Sequence, residues 1–96
     1  MNALMTRTTE KQKPLTILQR IAERDQTAVK DCFETYGNFI WALAEKFTTS
    51  TEEAEAATQE IFIDIWRYAE RGDDNQSAEK LLIALIARRR LIKHLQ

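Results

Sequence analysis

Apolar residues recur along most of this chain at intervals of three and four, a spacing that predicts helices rather than strands. The exception is Met1 to Lys13, polar and threonine-rich, so residues 1–14 read as a flexible leader. Pro14 suits the first turn of a helix, and Leu15, Leu18, Ile21 and Ala22 follow at helical spacing until Asp25 offers a new N-cap. From Gln26 to Phe47, Val29, Phe33, Tyr36, Ile40, Leu43 and Phe47 predict one long apolar stripe, widened by Cys32 and Phe39. Gly37 weakens this helix by ~1 kcal/mol relative to alanine without ending it. Trp41 lies off the stripe, so it either packs beneath the first helix or stands on the surface at a partner contact.

The pattern breaks at Thr48 to Thr51, where Ser50 followed by Glu53 predicts a capping box and the start of a third helix. Ala54, Ala57, Thr58, Ile61, Phe62, Ile65 and Trp66 line one face of it, leaving Glu55, Gln59, Glu60, Ile63 and Arg67 on the other sides. Gly72 to Gln76 is then a polar loop, and Ser77 is placed to cap a fourth helix. The apolar residues of that last helix go nearly all round, with Leu81, Leu85 and Ile92 on one side and Ile83, Ile86 and Ala87 on the opposite one. Its wheel leaves open which side faces inward. No repeat, heptad array or low-complexity tract is evident. The predicted fold is all-α, a compact four-helix domain over residues 15–96.

Composition narrows the function. With 96 residues, 44% of them apolar, and only two glycines and one proline, the chain has the make-up of one small helical domain. The longest apolar run, Leu81 to Ala87, is far short of the ~20 residues that cross a bilayer, which predicts a soluble cytoplasmic protein with no membrane partner. A lone Cys32 excludes an internal disulfide, and a lone His94 excludes a Cys/His zinc site. Cys32 lies on an apolar stripe and reads as a packing residue, and His94 as a surface or nucleic-acid-facing side chain. The acidic pairs Glu52/Glu53 and Asp73/Asp74 lack a calcium-loop pattern, and Gly37 and Gly72 stand too far apart to cradle a phosphate. These readings point away from an enzyme, a metal site or a cofactor. Charge is polarised: residues 51–75 carry eight acids against Arg67 and Arg71, whereas residues 76–96 carry Lys80, Arg88, Arg89, Arg90 and Lys93 against Glu79.

The stretch from Glu53 to Arg67, including Ala54, Glu55, Ala56, Gln59, Glu60, Phe62 and Trp66, resembles the third helix of region two of bacterial RNA polymerase sigma factors of the extracytoplasmic-function type. Leu82, Ile83, Ile86, Ala87, Arg88 and Arg89 resemble that family's fourth helix, and Ala22 to Ala28, leading to Phe33, Tyr36 and Gly37, its opening helices. The chain departs from the family pattern at Ala56, where an acidic residue is usual, at Leu82 in place of Trp, at Arg89 in place of Asn and at Lys93 in place of a frequent Asp.

The resemblance implies a promoter-recognition domain for transcription initiation, binding the RNA polymerase core and helping to recognise and melt the promoter −10 element. Glu55, Gln59, Glu60 and Ile63 are then expected at the polymerase contact, since they present hydrogen-bonding groups beside an apolar one. Arg88, Arg89, Arg90 and Lys93 are expected on phosphates, and Asn75 and Gln76, in the loop where the family captures a flipped base, on base edges of the melted single strand. In the family Ile83, Ile86 and Ala87 face inward, which leaves Leu81, Leu85 and Ile92 to the first helix or to an inhibitory anti-sigma factor. The alternative is a helical protein-interaction domain that does not bind DNA, its arginines serving solubility and the helix dipole.

Overall fold

The computed structural model describes residues 15–72 and 78–95. Within them lie four helices and no strand: α1 (Ile17–Ala22), α2 (Gln26–Phe47), α3 (Thr51–Glu70) and α4 (Glu79–His94). The all-α, four-helix expectation therefore holds. The leader over residues 1–14, including Pro14, lies outside the described residues, as do the loop at 73–77 and its Ser77 cap. The N-cap of α4 is Ala78, which makes no side-chain capping bond.

α1 begins later than the apolar spacing suggested, because Thr16 and Gln19 form a capping box. The Gln19 N–H donates to Thr16 Oγ1 at 3.1 Å and the Thr16 N–H to Gln19 Oε1 at 2.9 Å, which leaves Leu15 ahead of the helix and exposed. Its C-terminus closes in a Schellman turn, with the Asp25 N–H donating to the Arg20 carbonyl at 3.0 Å and the Arg24 N–H to that of Ile21 at 2.9 Å. That turn forces Arg24 to φ 65°, where a glycine is the usual occupant. Asp25 then caps α2 as predicted. Its carboxylate accepts the Thr27 N–H at 2.9 Å, the Thr27 hydroxyl at 2.7 Å and Arg20 Nε at 2.9 Å, and these bonds, the hydroxyl's foremost, hold its pKa down at about 2.

The buried ladder of α2 is Ala28, Cys32, Tyr36, Ile40 and Ala44; Cys32, Tyr36 and Ile40 are of the expected stripe, whereas Ala28 and Ala44 are not. Val29 and Phe33 are exposed, while Phe39, Leu43 and Phe47 pack partly buried on the core. Small side chains at the contact let α2 approach its neighbours closely, which turns the large residues one position outward. Trp41 packs against the core, which resolves its two readings in favour of packing. In α3 the expected stripe is the observed one, with Ala54, Ala57, Ile61, Phe62 and Ile65 buried. Ser50 accepts the Glu53 N–H at 3.1 Å, but Glu53 reaches back to the Thr49 N–H at 2.8 Å rather than to that of Ser50. Gly72 follows the end of α3 at φ 72°, in the left-handed conformation that closes the helix.

α1 packs on α2 and α3, α2 on α3 and α4, and α3 on α4. The inward side of α4 is Ile83, Ala87 and Leu91, with Ile86 and Leu82 partly buried beside them. One carboxylate joins three helices at the head of α4. Glu79 accepts the Leu18 N–H of α1 at 2.8 Å and the Tyr36 hydroxyl of α2 at 2.7 Å. Burial, and then this bond, push the Tyr36 hydroxyl pKa well above its ordinary value.

Candidate functional site

The two outer faces of α3 differ in what they offer. Glu55, Gln59 and Ile63, spaced by four, share one ridge and are all exposed. Trp66, about 20° round from Gln59 on an ideal wheel, continues that ridge. It stacks with Phe62 at a ring separation of 5.5 Å, and Phe33 of α2 lies 4.5 Å from Phe62 and 5.6 Å from Trp66. The result is a half-open aromatic wall beside a hydrogen-bonding amide and an exposed isoleucine, the composition of an interface core. Phe33 and Trp66 were read as core residues. Their contribution to this surface was visible only once Phe33 was placed outside the buried ladder.

Glu60 does not join that ridge. It is turned toward α4, where its Oε1 lies 2.8 Å from His94 Nε2, so His94 is the surface side chain expected and also links two helices. One turn on, Asp64 takes both Arg90 Nε and Arg90 Nη2 at 2.8 Å in a bidentate pair. The Arg90 guanidinium holds the Asp64 carboxyl below the usual carboxylate range, and Asp64 in turn raises Arg90. These two cross-links fix the roll of α4 on α3.

With α4 so fixed, an open cleft of about 290 Å³ lies between it and the C-terminal half of α3. Ile86, Arg89, Arg90 and Lys93 line it from α4, and Asp64, Arg67, Tyr68 and Arg71 from α3 and its C-terminal end. Five basic side chains thus surround one carboxylate that is already paired, and Arg71 lies over the Tyr68 ring at 5.3 Å. Of the cations expected to contact DNA, Arg89, Arg90 and Lys93 come together here, while Arg88 is exposed outside the cleft. Asn75 and Gln76 lie outside the described residues. Arg67, Arg71 and Tyr68 were not singled out from the sequence. Their signal was the four-residue step from Arg67 to Arg71, which puts both on one side of α3.

Burial pushes the Cys32 thiol up to about 12, with the nearby Glu79 charge adding to the effect, so it stays protonated and packs as expected. Among the described residues no helix is long and apolar enough to cross a membrane.

The family model for sigma-70 region 2 matches residues 32–96, more than half of the chain. The chain belongs to the sigma-70 region 2 family. The matched part of this region 2 domain runs from the second turn of α2 through α4 and takes in the α3 ridge and the basic cleft; α1 precedes it. Among curated proteins it is similar to the ECF RNA polymerase sigma factor SigK of Mycobacterium tuberculosis and that of Mycobacterium bovis. Each is 26% identical over 76 residues, covering 79% of this chain and 41% of the relative. The chain thus spans less than half the length of those relatives. No solved structure matches the chain with significance.

Proposed function

We propose that this region 2 domain acts in transcription initiation as part of an extracytoplasmic-function sigma factor, docking on the RNA polymerase core through α3 and engaging melted promoter DNA through the cleft between α3 and α4. The observation that carries the reading is the arrangement of two chemically different surfaces on one helix. Gln59, Ile63 and Trp66, with Phe33, offer an aromatic and amide surface suited to a protein partner. On the other side of α3, Arg67 and Arg71 line an open cleft together with Arg89 and Lys93, a cluster of positive charge suited to the backbone of a single strand. Tyr68 supplies a ring on which an unstacked base can lie, and Ile86 an apolar side chain in the cleft lining.

In this reading the residues divide the work unevenly. Gln59, Glu55 and Ile63 touch the polymerase, and Glu60 acts through His94 by holding α4 in place. Arg89 and Lys93 contact phosphates, with Arg88 reaching the backbone from outside the cleft. Arg90 keeps its place at the cleft wall through Asp64 and adds less field, since its charge is half-neutralised. Asn75 and Gln76 read base edges in the loop between α3 and α4. The activity is binding and strand capture, with no covalent step, and it belongs in the cytoplasm, where the polymerase works. An anti-sigma factor is a further partner in this scheme.

The test pairs two titrations of the same chain, one against RNA polymerase core and one against a labelled single-stranded promoter fragment. Gln59→Ala with Ile63→Ala should weaken polymerase binding by about tenfold to a hundredfold and leave DNA binding intact. Arg89→Ala with Lys93→Ala should do the reverse. Equal losses in both titrations, or in neither, refute the two-surface reading.

A further inference from the structure

The cleft between α3 and α4 gathers more positive charge than its own lining neutralises. Its one carboxylate, Asp64, is taken up by Arg90 in the bidentate pair. Arg67, Arg71, Arg89 and Lys93 therefore line a space of about 290 Å³ without an ion-pair partner among the described residues. Arg67 and Arg71 stand one turn apart at the end of α3, and Arg89 and Lys93 one turn apart on α4, and like charges at that spacing repel. Glu60, also turned toward α4, is bonded to His94. Five cations and one carboxylate leave the lining at plus four, a charge that folding assembles against its own repulsion.

The size of the cleft bears on which anion offsets that charge. A nucleic-acid strand carries a single charge per nucleotide, on phosphates that advance by ~3.4 Å even where the strand is fully stacked. A space of about 290 Å³ is at the small end of small-molecule sites, so only a short piece of strand lies in it at once and most of the cations stay unmatched. Directly linked phosphates are denser in charge. A terminal phosphate brings about 1.5–2 negative charges near pH 7 and each inner one about one, so three in a row supply ~4. We propose that the cleft binds a free polyphosphate anion, either a linear inorganic polyphosphate or the phosphate chain of a nucleoside triphosphate, at the place that the promoter reading gives to a strand. The unpaired guanidinium groups of Arg67, Arg71 and Arg89 each present a planar fork to phosphate oxygens, and Lys93 adds a point charge. Tyr68 and Ile86 offer the rest of a nucleotide an aromatic and an apolar contact. Polyphosphate binding does not require promoter binding; only its competition with a strand rests on that reading.

The probes are inorganic tripolyphosphate, ATP and orthophosphate, titrated calorimetrically into the full chain at one ionic strength and without divalent cations. Tripolyphosphate should saturate a single site and bind at least about tenfold more tightly than orthophosphate. Arg67→Gln with Arg71→Gln and, independently, Arg89→Gln with Lys93→Gln should each weaken it by about tenfold or more. Lys30→Gln with Lys46→Gln removes the same charge from α2, away from the cleft, and should change it by less than about twofold. All six side chains are exposed, and circular dichroism checks that the variants stay folded. ATP within about threefold of tripolyphosphate assigns the site to the phosphate chain alone, whereas tighter ATP binding that Tyr68→Leu reduces to the tripolyphosphate level assigns it to a nucleotide. Tripolyphosphate no tighter than orthophosphate, or weakened as much by the Lys30 and Lys46 changes as by those in the cleft, overturns the proposal in favour of a diffuse basic field. In a displacement titration, tripolyphosphate should release a labelled single-stranded promoter fragment with an inhibition constant within about threefold of the calorimetric Kd. A strand still bound at saturating tripolyphosphate overturns the shared site. A strand that never binds refutes the promoter reading and leaves the calorimetric result to decide this one.

Discussion

Arg90→Met separates architecture from DNA contact within a single run of arginines. Methionine keeps most of the aliphatic stem while deleting two charge-assisted hydrogen bonds of 2.8 Å to Asp64. Hydrogen bonds to charged groups contribute ~1.5–3 kcal/mol each when well shielded. Here the two side chains are 26% and 21% exposed, so water, together with Arg67 and Lys93 nearby, compensates Asp64 in part. The net loss should be ~2 kcal/mol, and for a domain of this size a thermal melt should show the midpoint falling by about 8–16 °C. Asp64→Asn should produce a smaller fall, because the asparagine still accepts one bond. DNA behaviour should follow a different residue. For single strands each neutralised phosphate adds ~0.7 to the slope of log K against log salt, so Arg89→Ala should flatten that slope by about 0.7 while Arg90→Met leaves it unchanged. If Arg90→Met melts with the parent and flattens the salt slope instead, the pair with Asp64 is not what holds Arg90, and the partition among the arginines is wrong.

Other expectations concern stability. The folded pKa of Asp25, about 2, lies below its ordinary 3.8, so its ionisation favours folding above about pH 4, and that contribution is lost as pH falls from about 4 to about 2. Asp25→Asn should therefore flatten an acid-denaturation curve in that window; an unchanged curve would show that the Thr27 and Arg20 bonds do not form in solution. The Thr58 hydroxyl is buried without a hydrogen-bond partner, so Thr58→Val should raise stability by about 1 kcal/mol in a urea titration, and a loss would mean that the hydroxyl is satisfied. Arg24→Gly should relieve the left-handed backbone at φ 65° and gain up to about 1 kcal/mol in the same assay, unless the flexibility added to the unfolded chain cancels it.

The sequence spoke most clearly where a helix has one partner side. α3 follows its pattern closely, with Ile61, Phe62 and Ile65 in the core and Ile63 left on the outer side as its place on the wheel predicts. In α2 the same reasoning chose Val29 and Phe33 over Ala28 and Ala44, since a wheel weighs bulk and cannot see that small residues mark where helices approach most closely. The start of α1 was misplaced although Thr16 and Gln19 spell a capping box; the proline two residues earlier was taken as the stronger signal. At the candidate site the limits were tertiary. Gln59 and Glu60 are adjacent in sequence and so ~100° apart on the helix, which sends one to the outer ridge and the other to His94. Nothing local pairs Asp64 with Arg90 across 26 positions, and without that pair neither the cleft nor the separate situation of Arg90 can be read.

Because α4 is keyed to α3 at Asp64 and Glu60, its three consecutive arginines look in three directions: Arg88 along the outer side, Arg89 into the cleft and Arg90 onto the brace. Such a helix is intolerant of changes in length. One residue inserted between Ile83 and Arg88 would leave every side chain present yet rotate all that follows by ~100°, dropping a different arginine into each position and swinging Leu91 out of the core. Among descendants of this domain, α4 should therefore keep its residue count, with insertions and deletions falling before Glu79.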